Sequence, residues 1–148
     1  MERVIRNILL MCACVCACAC SESINDDEPE IQLSNISGVW QQTAFLCSDG
    51  YFVPVYGLDA IHYEFAQADN SGTQTYIQYT LNEQGNKDIS KQGTWEYDPQ
   101  TQSAHISEPR GWNLDIHFTF GEKNNATLEI QGRTPNSSST VKVKRLTK

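Results

Sequence analysis

Outside its first twenty residues, this sequence of 148 residues contains a single cysteine, Cys47. The other five cysteines alternate with small residues between positions 12 and 20, a spacing that rarely meets disulfide geometry. The cysteine count therefore does not indicate a disulfide framework. The Cys-x-Cys repeat has no accompanying histidines or further cysteines, so it is also a weak metal site.

Basic residues and catalytic motifs are scarce as well. Eleven lysines and arginines stand against 18 acidic residues, for a net charge of −7. This balance excludes a nucleic-acid-binding protein, which needs a concentrated basic face. The sequence has no Gly-x-Ser-x-Gly elbow and no glycine-rich phosphate loop after a strand. We therefore expect a protein without enzymatic activity or cofactor.

The N terminus has the composition of an export signal. Arg3 and Arg6 precede an apolar stretch over residues 8–19, which is shorter than the about 20 residues that span a bilayer. We predict that residues 1–19 are a signal peptide. Residues 17–20, Ala-Cys-Ala-Cys, resemble the lipobox of bacterial lipoproteins, in which a cysteine after small residues is acylated. The resemblance implies lipidation of Cys20, and the similar run at residues 15–18 offers Cys18 as the alternative.

An acidic segment follows the lipobox. Residues 21–30 hold five acidic residues, no basic residue and almost nothing apolar, so they cannot bury enough surface to fold. We predict a disordered tether over residues 20–33. The acidic stretch also resembles the surface-export signal of Bacteroidetes lipoproteins. The resemblance implies an outer-membrane lipoprotein of the bacterial envelope, held to the membrane by its lipid anchor, either retained on the inner leaflet or displayed at the surface.

From residue 34 onward, short alternating runs are separated by turn residues, and no run has a convincing helical period. The clearest run covers residues 114–120, where apolar and polar side chains alternate strictly. Residues 51–56 are β-rich but contain Pro54, which favours an edge strand or loop. Lys142 and Lys144 alternate with valines, which indicates the outward face of a last strand that they would protect as an edge.

Seven or eight such strands in residues 34–148 predict a single all-β domain. We expect one antiparallel barrel of about eight short strands, with a β-sandwich as the alternative. Residues 36–40 read Ile-Ser-Gly-Val-Trp and resemble the Gly-x-Trp opening of lipocalin-like domains. Residues 93–97, Gly-Thr-Trp-Glu-Tyr, resemble a central strand of small lipocalin-like lipoproteins of Bacteroidetes. The resemblance implies a barrel whose closed end is crossed by Trp40; later lipocalin motifs and disulfides are missing.

Aromatic residues are the main candidates for a binding site. Seven share the phase predicted to face the barrel interior: Tyr63, Phe65, Tyr79, Trp95, Tyr97, Phe118 and Phe120. Because a barrel of about eight strands is just wide enough for side chains to fill, they either pack as a core or line a cup for an apolar ligand. The loop at residues 108–113 carries Arg110 and Trp112, which could contact a sugar or a protein.

The histidines and Cys47 have simpler interpretations. His62, His105 and His117 all lie on the polar phase of their strands, where a solvated face is expected and no metal motif is present. Cys47 ends a β-rich run and is expected to be a buried small side chain or a free thiol.

Two functions follow as hypotheses. In the first, the barrel is a lipid-anchored binding module that holds a small apolar or amphipathic molecule. In the second, it is an accessory lipoprotein with a filled barrel that docks an envelope protein or glycan through its loops. The resemblance to lipocalin-like domains favours the first.

Overall fold

The computed structural model describes residues 35–111, 113–132 and 137–147. The described chain contains β-strands, one short 3-10 turn and no α-helix. The turn is Gly57–Asp59 and lies between the second and third strands. The nine strands are β1 Gly38–Leu46, β2 Phe52–Pro54, β3 His62–Ala66, β4 Thr75–Leu81, β5 Lys87–Asp98, β6 Ser103–Ser107, β7 Asn113–Phe120, β8 Asn125–Gln131 and β9 Ser138–Leu146.

Eight of these strands form a closed antiparallel barrel. Strand β1 pairs with β3, each strand from β3 to β8 pairs with the next one along the chain, and β9 returns to pair with β1. The one strand outside this ring is β2, which pairs only with the far half of β1, at residues 44–46. The predicted all-β barrel is confirmed, and the sandwich alternative is wrong. The predicted edge position of residues 51–56 is also confirmed, because β2 pairs with β1 alone. Pro54 suits this position, since it cannot donate a ladder hydrogen bond.

Strict alternation along the strands creates the barrel interior. In β7, Leu114, Ile116 and Phe118 are buried, whereas the residues between them are exposed. Their neighbours across the sheet follow the same phase, since Ile116 lies opposite Ala104 on β6 and Ile130 on β8. Cross-strand partners point to the same face, so one apolar row continues from strand to strand around the barrel.

One β-bulge changes the phase of β1. The register against β9 shifts between Gln42 and Ala44, so an extra residue, Thr43, is inserted into β1. Before the bulge Val39 and Gln41 lie opposite the outward Leu146 and Lys144, and after it Ala44 lies opposite the outward Lys142, although Ala44 is itself buried. The far half of β1 therefore has a shifted alternation, and it pairs with β2 in place of β3 while it still pairs with β9.

The end of the barrel where residues 35–37 enter is closed by Trp40. Its ring is fully buried, and its Nε1–H donates to the Ile36 carbonyl at 2.9 Å. The Arg145 guanidinium lies 5.6 Å from the Trp40 ring and donates to the Ser37 carbonyl. Gly38 has φ +126°, and a Cβ there would lie 3.1 Å from Arg145 Nε. The Gly-x-Trp opening thus combines a backbone conformation suited to glycine with a tryptophan that fills the barrel end.

Strand β9 is not an edge. Lys142 and Lys144 do point outward as expected, but β9 pairs with β8 on one side and with β1 on the other. Edge protection is therefore the wrong role for these lysines. The sequence pattern correctly predicted that these lysines point outward, but it did not predict that the last strand closes the barrel.

Candidate functional site

Aromatic side chains fill the middle of the barrel. The Phe118 ring is fully buried, with ring centroids 5.7 Å from Trp40, 5.7 Å from Phe65 and 6.1 Å from Tyr97. Phe120 stacks on Phe118 at 5.6 Å. Centroid distances of 4.5–7 Å are those of packed aromatic pairs. Phe118 is thus packed in the interior against aromatic rings from three other strands, β1, β3 and β5.

The remaining interior aromatic residues extend this packing. Phe65 contacts Trp95 edge-to-face at 5.5 Å and Tyr76 at 5.2 Å. The Trp95 indole N–H donates to the Ala66 carbonyl at 3.0 Å, which satisfies its one polar group. Burial raises the pKa of Tyr63 and Tyr76 above the ordinary tyrosine value, so both phenols stay neutral.

The predicted inward orientation of Tyr79 is wrong. The register pairs Phe65 with Tyr76 and His62 with Tyr79, so Tyr76 faces the interior and Tyr79 faces out. The sequence favoured the opposite phase because Ile77, Tyr79 and Leu81 form a more apolar series than the residues between them. Tyr76 was missed for the same reason. Only the pairing of Tyr76 with Phe65 shows which of the two tyrosines faces the interior.

Tyr79 is nevertheless buried, by contacts on the outer wall. Its ring stacks on His62 at 5.0 Å with an interplanar angle of 8°, and Lys87 Nζ lies 4.6 Å from its centroid. Lys87 also forms an ion pair with Glu64. His62 is itself buried, which corrects the expectation of a solvated histidine, and its Nδ1 has no hydrogen-bond partner among the described residues. Burial lowers the pKa of His62, and the nearby Lys87 adds to that effect.

Exposed apolar side chains are concentrated at the other end of the barrel. Tyr51 and Tyr56 are 73% and 78% exposed, the highest values among the exposed large apolar residues. The segment from residue 45 to residue 58, which we call the apolar hairpin, carries six such residues: Phe45, Leu46, Tyr51, Val53, Tyr56 and Leu58. Concentrations of this kind on a soluble domain mark contact surfaces.

The free side of β2 is blocked against strand addition. The Val55 N–H donates to the Thr43 carbonyl at 2.9 Å, which makes this pair a hydrogen-bonded one. Since hydrogen-bonded pairs alternate along an antiparallel ladder, the nitrogen of neighbouring Pro54 points away from β1. That nitrogen carries no hydrogen. The apolar hairpin is therefore suited to contacts through side chains rather than through its backbone.

Several predicted residues fall elsewhere. Arg110 is exposed in the loop between β6 and β7, at the same end of the barrel as the apolar hairpin. Trp112, Cys18 and Cys20 lie outside the described residues, as does residue 34 at the predicted domain boundary. Cys47 is a free, half-buried thiol at the turn between β1 and β2.

Two open grooves flank the entry of the chain at the closed end. The larger has a volume of about 1010 Å³, and its lining includes Val39, Phe65, Arg145 and Leu146. The smaller has a volume of about 590 Å³ and lies beside Trp95 and Tyr97. Both are surface features, in contrast to the internal cup expected for a lipocalin-like ligand site.

The polar outer wall holds the other two histidines. His105 Nδ1 lies 2.6 Å from Asp115 Oδ1, and Ser103 Oγ lies 3.3 Å from His117 Nδ1. Within the described residues, no three histidine, cysteine or acidic side chains come together as a metal-ligand set. In the same part of the chain, no helix has the length and apolar character needed to cross a bilayer.

We compared the chain with models of protein families, with curated proteins and with solved structures, and none of them matches it.

Proposed function

We propose that this protein is a lipid-anchored, non-enzymatic interaction protein of the bacterial cell envelope. Its barrel serves as a filled scaffold, and the apolar hairpin docks an envelope protein. The observation that carries the proposal is the contrast between Phe118, which is fully buried among aromatic rings of other strands, and Tyr51 and Tyr56, which are mostly exposed.

The chemistry of the apolar hairpin favours a protein partner. Exposed tyrosines combine a large apolar ring with a hydroxyl that can hydrogen-bond, and they are enriched in the centres of protein interfaces. The surrounding loop adds Val53 and Leu58, which contribute apolar area without charge. Since Pro54 hinders strand addition, we expect the partner to offer a pocket or groove for these side chains.

Site-specific photocrosslinking tests this proposal. A photoreactive residue at Tyr56 should yield one crosslinked envelope protein in living cells, whereas the same residue at exposed Glu96 on the opposite wall should not. The purified partner should then bind the purified chain, and Tyr51→Ser with Tyr56→Ser should abolish that binding. A partner that binds the double variant as well as the parent chain would overturn the assignment of the docking surface.

A second candidate function rests on the larger groove. It combines apolar Val39 and Leu146 with the half-buried cation of Arg145, a combination suited to a small amphipathic molecule that bears an acid. Native mass spectrometry of residues 21–148 tests it. An adduct of a few hundred daltons that is lost on denaturation, and lost in Leu146→Ser, would favour this function. A bare mass after exposure to a lipid and metabolite extract would exclude it.

A further inference from the structure

The outer wall formed by β9, β1 and β2 differs in composition from the rest of the barrel. Its outward side chains are apolar, amide, hydroxyl or basic, and none is acidic. We call this wall the basic-apolar face, and its members are Val39, Gln41, Leu46, Phe52, Lys142, Lys144 and Leu146.

The strand registers place these side chains on one surface. Lys142 lies opposite Ala44, which in turn lies opposite Pro54, so the row crosses all three strands. Lys142 Nζ is 4.3 Å from the centroid of the Phe52 ring, a contact that joins β9 to β2 directly. The next outward residue of β9 towards the closed end is the exposed Lys144. It is followed by Leu146, which is 43% exposed. The face therefore runs along the length of the barrel.

The charges on the barrel are polarised around its circumference. The ion pair between Lys87 and Glu64 and the contact between His105 and Asp115 involve neither Lys142 nor Lys144. In a closed ring of eight strands, β6 lies diametrically opposite β1. The two strands that flank β6 carry three exposed acidic side chains, Glu96, Asp98 and Asp115. With acidic residues on one side of the barrel and lysines on the other, the protein is expected to orient its basic-apolar face towards a negatively charged surface.

We propose that the basic-apolar face lies against an anionic lipid surface. Lys142 and Lys144 would stand beside the headgroups, and Leu46, Phe52 and Leu146 would reach the boundary with the acyl chains. Peripheral proteins bind membranes by this combination of basic residues and exposed apolar side chains. The inference deepens the proposed function, because the contact would fix how the apolar hairpin is presented along the membrane.

The position of the chain entry agrees with such a contact. Asn35 lies at the closed end and lines the same groove as Leu146. Asn35 is the fifteenth residue after Cys20, and this length of chain spans at most about 50 Å even when it is fully extended. A lipid anchor at Cys20 would thus hold the barrel within a molecular diameter or two of the bilayer, where even weak surface binding takes effect.

Acidic residues border the face and limit its affinity. Asp49 lies in the turn of the apolar hairpin, where its carboxylate accepts the Tyr51 N–H, and Glu129 lies on neighbouring β8. Glu64 lies opposite Val39 on β3 and forms an ion pair with Lys87. These three are at the margin rather than between the lysines. The contact is therefore expected to be weak, to depend on anionic lipid and to be sensitive to salt.

Vesicle cosedimentation of residues 21–148, which include every described residue and carry no acyl chain, tests the proposal. Vesicles of phosphatidylcholine would be compared with vesicles containing about 30% phosphatidylglycerol, at low and high salt. We expect binding to the anionic vesicles alone, and loss of that binding at high salt. Binding to neither vesicle at low salt would overturn the proposal and leave this face to a protein partner.

Single charge variants provide the matched control. Lys144→Gln should weaken binding to anionic vesicles roughly fivefold, the effect of one lysine near such a surface, and Leu146→Ser should weaken it further. Arg110→Gln removes the same charge from a loop outside the face and should change binding by less than about twofold. Equal effects of Lys144→Gln and Arg110→Gln would overturn the assignment of the face. Because the chain is not acylated, this result is independent of lipidation at Cys20 and of the partner that crosslinks at Tyr56.

Discussion

The two ends of the barrel use the same kinds of side chain in opposite ways. At the closed end, Trp40 is fully buried beneath Ile36, and its indole N–H is hydrogen-bonded. At the other end, Tyr51 and Tyr56 are largely exposed, although they belong to an equally β-rich run. An aromatic residue in a strand-like pattern therefore does not by itself report a core.

The difference follows from the limited volume of an eight-stranded barrel. Such a barrel is just wide enough for side chains from its own strands to fill. Phe118, Phe65 and Trp95 already occupy the interior. The apolar residues of the hairpin lie outside this volume, where the far half of β1 pairs with β2 in place of β3. They remain on the surface because no interior space is left for them.

The largest expected effect on stability comes from removing a ring from the packed interior. Phe118→Ala should lower the free energy of unfolding by about 3–5 kcal/mol, because four aromatic neighbours lose contacts and cannot close the cavity. Urea denaturation followed by tryptophan fluorescence measures the change. A loss of less than about 1 kcal/mol would mean that the interior is not packed around this ring.

A second comparison separates the two faces of β4. Tyr76→Ala removes a fully buried interior ring and should cost about 3–5 kcal/mol, in the range of large core truncations. Tyr79→Ala removes a ring packed on the outer wall between His62 and Lys87, and it should cost about 1–2 kcal/mol. Denaturation of both variants under one set of conditions gives the ratio. Equal losses would contradict the assignment of the two faces.

The contacts of His62 with Tyr79 and Lys87 on the outer wall also predict a dependence of stability on pH. Burial lowers the pKa of His62 below its ordinary value of 6.5, so the folded protein favours the neutral imidazole. The unfolded chain takes up a proton near 6.5, before the folded protein does. The contribution of His62 to stability is therefore complete above 6.5 and is lost as the pH falls through the lower pKa of the folded state.

Unfolding free energies measured at several pH values between about 7 and 5 would show this loss. His62→Gln keeps a polar planar side chain and removes the titration, so its stability should vary less with pH over the same range. An identical pH dependence in the parent chain and the variant would assign the effect to other groups.

The smallest expected change in stability is at the exposed end. Tyr51→Ser with Tyr56→Ser should alter the free energy of unfolding by no more than about 0.5 kcal/mol per site, as is usual for exposed positions. The same double variant should lose its crosslinked partner. A large loss of stability would mean that these side chains are packed, and it would remove the distinction between the two ends.

The phase of a strand could be read from the sequence where one face was clearly apolar. Residues 114–120 alternate without exception, and Leu114, Ile116 and Phe118 are all buried. The same method failed at β4, where each face holds a tyrosine and the aliphatic residues lie on the outer face. There the choice between Tyr76 and Tyr79 depends on register against β3, which is a long-range property.

The exposed hairpin was the other feature that the sequence left unresolved. Pro54 correctly indicated an edge position, since the restriction on its backbone nitrogen is local. The exposure of Tyr51, Tyr56 and Leu58 could not be predicted, because their pattern resembles that of a buried strand. The loop residue Trp112, which was the surface candidate from sequence, lies outside the described residues.

The sequence by itself determined the strand class, the antiparallel order and the outward position of Lys142 and Lys144, because period-two alternation and turn residues act locally. Only the tertiary structure decided that β9 pairs with β1 to close the barrel, that Tyr79 lies outside it, and that aromatic side chains fill its centre. Closure, register and packing depend on residues that are far apart in the chain. The side chains of these residues compete for one fixed interior volume, which no local sequence pattern encodes.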